Sequence, residues 1–186
     1  MQRATLPEFL SFLNSQTTAD FQTEAVDFYL KNHQLSQQDF LPFIYFREET
    51  YGRNLVFRTD FYELLVLTWL PQQRTPIHDH GGQRCWMLIQ SGKLLFKNFK
   101  PITLDNDTLE VCGPCQLHEA GDTVYIDDGI GVHSIANATN QPAISVHLYA
   151  APVPRCRIYD EAAKCFQWVE LDYFTSPEIF TAAVRA

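Results

Sequence analysis

From Asn54 to Asp160 the chain is cut into a succession of short β-prone runs separated by glycine, proline, asparagine and aspartate. The runs are Asn54–Arg58, Tyr62–Leu70, Thr75–His80, Cys85–Ser91, Lys93–Phe99, Thr108–Cys112, Thr123–Ile126, Gly131–Asn137, Ala143–Ala150 and Cys156–Asp160. Many short strands with regular turns predict a mainly β chain, folded as an antiparallel barrel or double-sheet jelly roll. The first fifty residues follow a different period. Leu6, Phe9, Leu10 and Leu13 fall at helical spacing, and Phe21, Ala25, Phe28 and Tyr29 repeat it. Ser36 followed by Asp39 predicts a third helix start. These helices are expected to pack outside the barrel. No repeat, low-complexity tract or linker interrupts the sequence. One domain over 1–186 is therefore expected, with a helical region at 1–50, the barrel at 51–160 and a tail at 161–186 that ends in a short helix after Ser176.

Composition excludes several function classes. The net charge is −8 with no basic cluster, which argues against a nucleic-acid or anionic-membrane surface. No apolar run approaches the ~18 residues that span a bilayer. The opening Met1–Glu8 stretch lacks a signal peptide's apolar core. The five cysteines, Cys85, Cys112, Cys115, Cys156 and Cys165, are odd in number and suit reduced thiols. A cytoplasmic monomer is the expectation.

His78-Asp79-His80 places two imidazoles at i and i+2, on one face if the segment is a strand. His133, in Gly131-Val132-His133-Ser134, is the candidate third donor. Three neutral imidazoles suit iron, zinc, copper, nickel or manganese and leave one side of the metal open. The Ala143–Ala150 run sets Ser145, His147 and Tyr149 on one face and Ile144, Val146 and Leu148 on the other. Pattern alone does not say which face turns inward. Cys112-Gly113-Pro114-Cys115 spells a thioredoxin-type motif, but Gln116–Gly121 is too short for the helix that would activate the first thiol. With no fourth zinc ligand evident beside His118, a Gly-Pro turn between strands is the expectation.

His78, His80, Cys85 and Gly92 resemble the first motif of the cupin superfamily, with Cys85 where many cupins carry a glutamate ligand. Gly121, Asp127, His133 and Asn137 resemble the second motif, one residue longer than usual. Within the cupins the chain is similar to the type I cysteine dioxygenase family. The resemblance rests on Tyr51-Gly52-Arg53-Asn54-Leu55-Val56, Pro76-Ile77-His78-Asp79-His80 with Cys85, Ile130-Gly131-Val132-His133, and Ser145-Val146-His147-Leu148-Tyr149. They fall in the family's order between residues 51 and 152.

The resemblance implies one iron(II) per chain on His78, His80 and His133, and addition of both atoms of O2 to L-cysteine to give cysteine sulfinic acid. It implies that Arg53 pairs with the substrate carboxylate, a role suited to a guanidinium fork. It implies a thioether between Cys85 and Tyr149, and a Tyr149 phenol held from behind by His147 and Ser145. Tyr51, Leu67, Trp69 and Val132 are the expected pocket lining. Rival readings are a dioxygenase for 3-mercaptopropionate or cysteamine, a metal-dependent isomerase, and a non-catalytic cupin that binds a metal or metabolite. Arg53, Cys85 and the intact Ser145–His147–Tyr149 row argue against them in turn.

Overall fold

Thr5 and Glu8 start the first helix of the computed structural model, which describes residues 2–16, 21, 24–103 and 106–175. The Thr5 hydroxyl accepts from the Glu8 amide at 3.4 Å, and the Glu8 carboxylate accepts from the Thr5 amide at 2.8 Å. This reciprocal capping satisfies donors that the first turn leaves without helical partners. The helix, α1 (Leu6–Ser15), buries Leu6, Phe9 and Leu13. The second, α2 (Ala25–Asn32), buries Val26 and Leu30. Of the expected Phe21, Ala25, Phe28 and Tyr29 stripe, Phe21 is buried and Tyr29 stacks on Phe12 at 4.1 Å, but Phe28 is 70% exposed. Ser36 leads only into a 3-10 helix, Gln37–Phe43, which contains Pro42. Its acid, Asp39, accepts instead from the Leu6 amide at 2.7 Å. Short strands β1 (Gln2–Ala4) and β2 (His33–Leu35), absent from the expectation, pair in parallel. These elements form one compact unit up to Ile44, and the chain from Tyr45 onward forms another.

The second unit is antiparallel β. Strand content is 45% against 16% helix for the chain, which makes it mainly β as expected. The larger sheet runs in the order β3 (Gly52–Arg58), β4 (Glu63–Trp69), β11 (Ala143–Tyr149), β5 (Cys85–Ser91), β9 (Thr123–Ile126). The smaller contains β10 (Val132–Ala136), β6 (Lys93–Thr103), β7 (Asn106–Val111) and β8 (Gln116–Glu119). A hairpin, β12 (Arg155–Asp160) with β13 (Cys165–Glu170), completes the described strands. Every residue of β4 is buried, and Leu64, Leu65 and Val66 are wholly so. Each such side chain contributes about 1.5–3 kcal/mol to folding, which fixes the centre of the large sheet.

Two glycines carry the chain between the sheets. Gly92, at φ +75°, lies between β5 of one sheet and β6 of the other, where an added Cβ would meet the Ala143 Cβ at 2.7 Å. Gly131, at φ +133°, admits β10 beside β6; an added Cβ would collide with the Phe99 carbonyl oxygen. Only glycine meets both the conformation and the space at these positions.

Thr75–His80, expected as a strand, is not one. Pro76 has no amide to donate, and His78 bridges to two different partners, His133 and Ile158. The strand β13 and the separate β8 were not foreseen. Cys112–Cys115 interrupts a line of pairing against β6: the Cys112 amide donates to the Asn98 carbonyl at 2.8 Å, and Gln116 pairs with Phe96. The helix expected after Ser176 lies outside the described residues.

Candidate metal and carboxylate site

A cavity of about 130 Å³ lies between the two sheets, lined on one side by Leu67, Met87, His147 and Tyr149 and on the other by His133 and Ile135. Tyr51, Arg53, His78 and His80 also line it. The nitrogen donors of His78, His80 and His133 all lie within 4.8 Å of one another. It is the one such cluster among the described residues.

Each imidazole is held differently. His133 comes from β10, is wholly buried, and neither ring nitrogen has a hydrogen-bond partner among the described residues. His78 sits partly exposed at the cavity, with Nδ1 3.0 Å from the Pro76 carbonyl oxygen. Donation from Nδ1–H would leave Nε2 as the free lone pair. Burial, reinforced by the neighbouring His80, lowers His78 to a pKa of about 4. Burial also drives His133 well below the usual imidazole value, with His78 and His80 adding to the effect. His78 and His133 are thus held neutral, the form in which an imidazole binds a cation. Buried nitrogens without partners, converging on one point, fit a bound metal.

Two aspartates pin the segment that carries His78 and His80. Asp79 is 2% exposed. Its carboxylate accepts from the Arg157 amide at 2.8 Å, the Arg157 Nε at 2.6 Å and the Gly81 amide at 3.1 Å. Asp128 accepts from the His80 amide at 2.9 Å and the Gly82 amide at 2.6 Å. Its Oδ1 also stands 3.7 Å from His80 Nδ1. Burial works to raise the Asp128 carboxyl, but these donors outweigh it and hold it below the ordinary range. Neither aspartate had been given a role from sequence. Asp128 stands in an Asp-Asp-Gly turn, the only signal available.

Arg53 projects from β3, where it pairs in register with Leu67. It is 8% exposed, and its Nη1 is buried without a partner among the described residues. Its Nη2 lies 3.5 Å from Glu63 Oε1. The Glu63 carboxylate also accepts from the Tyr173 hydroxyl. Glu63 and Tyr173 were missed in the sequence. A lone acid opening the apolar Leu64–Leu67 run was the readable sign, because a charge in a doubly buried strand requires a partner.

On β11 the polar face turns inward. His147 and Tyr149 line the cavity, while Ser145 stands behind them. The Trp69 indole donates to Ser145 Oγ at 3.0 Å, and Ser145 Oγ is 2.8 Å from His147 Nε2. The other nitrogen, His147 Nδ1, faces Cys85 Sγ at 3.9 Å rather than Tyr149. Trp69 therefore supports the row and stacks on Tyr51 at 5.0 Å instead of lining the cavity. Val132 likewise packs with Ile77 and Phe99, away from the cavity. Cys85 and Tyr149 are direct cross-strand partners between β5 and β11, so their side chains share a face. Burial raises the Cys85 thiol, against a hydrogen bond with Tyr149 that favours its ionised form. The family description "Cysteine dioxygenase type I" matches residues 6–162.

The chain belongs to the type I cysteine dioxygenase family. Two relatives named cysteine dioxygenase type 1 illustrate the distance. The Danio rerio protein is 27% identical over 179 residues, covering 94% of this chain and 89% of its own. The Rattus norvegicus protein is 27% identical over 161 residues, covering 84% and 80%. A solved protein with a double-stranded β-helix domain from Klebsiella pneumoniae is 19% identical, covers 69% of this chain and 92% of its own, and gives a TM-score of 0.49. The cupin fold expected from the sequence is the fold of this family member.

Proposed function

We propose that this chain is an iron(II)-dependent thiol dioxygenase that converts L-cysteine and O2 to cysteine sulfinic acid. The observation that carries the reading is the joint presence, in one cavity, of three convergent imidazoles and a buried guanidinium with an unpartnered edge. His78, His80 and His133 would hold the metal. When bound, iron(II) supplies a centre of undiminished positive charge that favours the substrate thiolate and an open side for substrate and dioxygen. The arrangement suits a small molecule with a thiol at one end and a carboxylate at the other.

The residues of the chain then have distinct tasks. Arg53 receives the carboxylate on its free Nη1 edge, and Tyr51 and Leu67 shape the wall beside it. Burial raises the Tyr149 phenol well above its usual value, so it stays protonated and able to donate to substrate. Trp69 and Ser145 fix the ring of His147, and that ring lies beneath Cys85 and beside Tyr149. The facing pair of Cys85 and Tyr149 supports a thioether that forms during turnover. All five cysteines are free, which supports a reducing, cytoplasmic setting. No described helix is long and apolar enough to cross a membrane. The test is oxygen consumption by iron-loaded protein across L-cysteine, 3-mercaptopropionate and cysteamine. The reading requires L-cysteine to be the best of the three, and no consumption with any thiol would refute it.

A further inference from the structure

A wholly buried acid stands behind the arginine just assigned to the substrate carboxylate. Glu63 opens β4 at 0% exposure, paired in register with Arg58 on one side and Tyr149 on the other. Its Oε1 is 3.5 Å from Arg53 Nη2. Its Oε2 accepts from the Tyr173 hydroxyl, which in turn accepts from Arg58 Nη1 at 2.9 Å. The Arg53 guanidinium carbon lies 5.8 Å from the centre of the Tyr173 ring. Burial raises the Glu63 carboxyl above its ordinary value, and the Tyr173 hydroxyl and the Arg53 and Arg58 guanidinium groups work against that rise. Its charge is felt at Cys85 and Tyr149, the groups nearest the proposed chemistry.

Stability does not explain such a pair. Buried ion pairs are commonly no better than apolar side chains of the same volume. Charge selection does explain it. Arg53 and Glu63 nearly cancel at a distance, while Arg53 keeps a free edge for close contact. A thiol bearing only a carboxylate meets attraction from Arg53 and repulsion from Glu63. A zwitterionic thiol carries an ammonium as well, and a pair of opposite charges feels the Glu63 field far less than a single charge does. A purely cationic aminothiol gains from Glu63.

We propose that Glu63 is the charge-selecting residue of this site, a buried carboxylate behind Arg53 that favours an amino-acid thiol over a thiol carrying a carboxylate alone. The proposal rests on the reading of Arg53 as the carboxylate receptor. Glu63→Gln isolates the charge, because a glutamine carbonyl can still accept from Arg53 while its amide donates to the Tyr173 hydroxyl. The experiment compares kcat/KM for 3-mercaptopropionate, L-cysteine and cysteamine in the iron-loaded wild type and this variant. The anionic thiol should improve by about tenfold, the cationic one should fall severalfold, and L-cysteine should change least. Unchanged ratios, or a common fall for all three, would overturn the proposal and leave Glu63 a structural residue. Arg53→Ala separates the two readings. If it lowers all three thiols equally, the carboxylate assignment itself fails. If it spares cysteamine while the Glu63→Gln series is flat, only the role of Glu63 fails. Thermal unfolding gives an activity-free check: Arg53→Ala strands the buried acid and should lower Tm, and adding Glu63→Gln should recover much of the loss. No recovery would contradict the pairing.

Discussion

At one end of the cavity His78, His80 and His133 converge, burial keeps His78 and His133 neutral, and the ring nitrogens of His133 have no partners among the described residues. At the other end Arg53 and Glu63 carry groups that form full charges, tied to one another and to Tyr173. The first end takes His78 and His80 from irregular backbone pinned by Asp79 and Asp128 and His133 from β10; the second follows from the register of β3, β4 and β11. The contrast shows two ways of preparing for a charged guest. A cation is met by donors kept neutral through burial and free of competing hydrogen bonds. An anion is met by a charge that must already be compensated, because a lone buried guanidinium is strongly unfavourable.

The largest expected effect removes a ligand from the neutral end. His133→Ala should reduce bound iron from about one per chain to almost none, measured by metal analysis after dialysis, with turnover lost in parallel. Full iron retention would break the contrast at once. At the charged end, Arg53→Ala should lower kcat/KM for L-cysteine by about 30- to several-thousand-fold, since truncating a partner of a buried charge pair typically costs about 2–5 kcal/mol. Cysteamine, with no carboxylate, should be affected much less.

A smaller effect is expected where the neutral end borrows a charge. Asp128→Asn weakens the hold on the amides of His80 and Gly82 and the field at His80 Nδ1. Loss of such outer partners commonly weakens metal affinity about 10- to 100-fold, which a competitive chelator titration would measure. Unaltered affinity would show that the backbone alone sets His80. The smallest concerns the seam between the ends. Turnover with L-cysteine and O2 should convert a fraction of the protein to a Cys85–Tyr149 thioether, lighter by about 2 Da because two hydrogens leave as the bond forms. Cys85→Ser should abolish that species in intact-mass spectra and leave iron binding in place, since Cys85 is not among the three donors.

Much of this was readable in the chain, for physical reasons that differ by region. The β unit followed from two-residue alternation and turn residues, and the β11 row separated a polar from an apolar face without saying which one turns inward. The three histidines are identifiable in the sequence although His78 and His80 do not share a regular strand: Pro76 and the double bridge at His78 remove the strand but not the convergence. The helices were harder to read because their inner faces are set by packing that propensity does not encode, so Val26 and Leu30 displaced Ala25 and Phe28. Glu63, Asp79, Asp128 and Tyr173 act through partners 10 to 110 residues away in sequence. No local pattern marks such partners, except that an acid inside an apolar run must have one.

If the two ends work together as proposed, both atoms of one dioxygen molecule enter one thiol. The direct measurement is single-turnover reaction of iron-loaded protein with L-cysteine under 18O2, followed by mass analysis of the product. The expected product is cysteine sulfinic acid carrying two 18O atoms, with one O2 consumed per cysteine. Product labelled at one oxygen only, or cystine with no incorporated label, would contradict it.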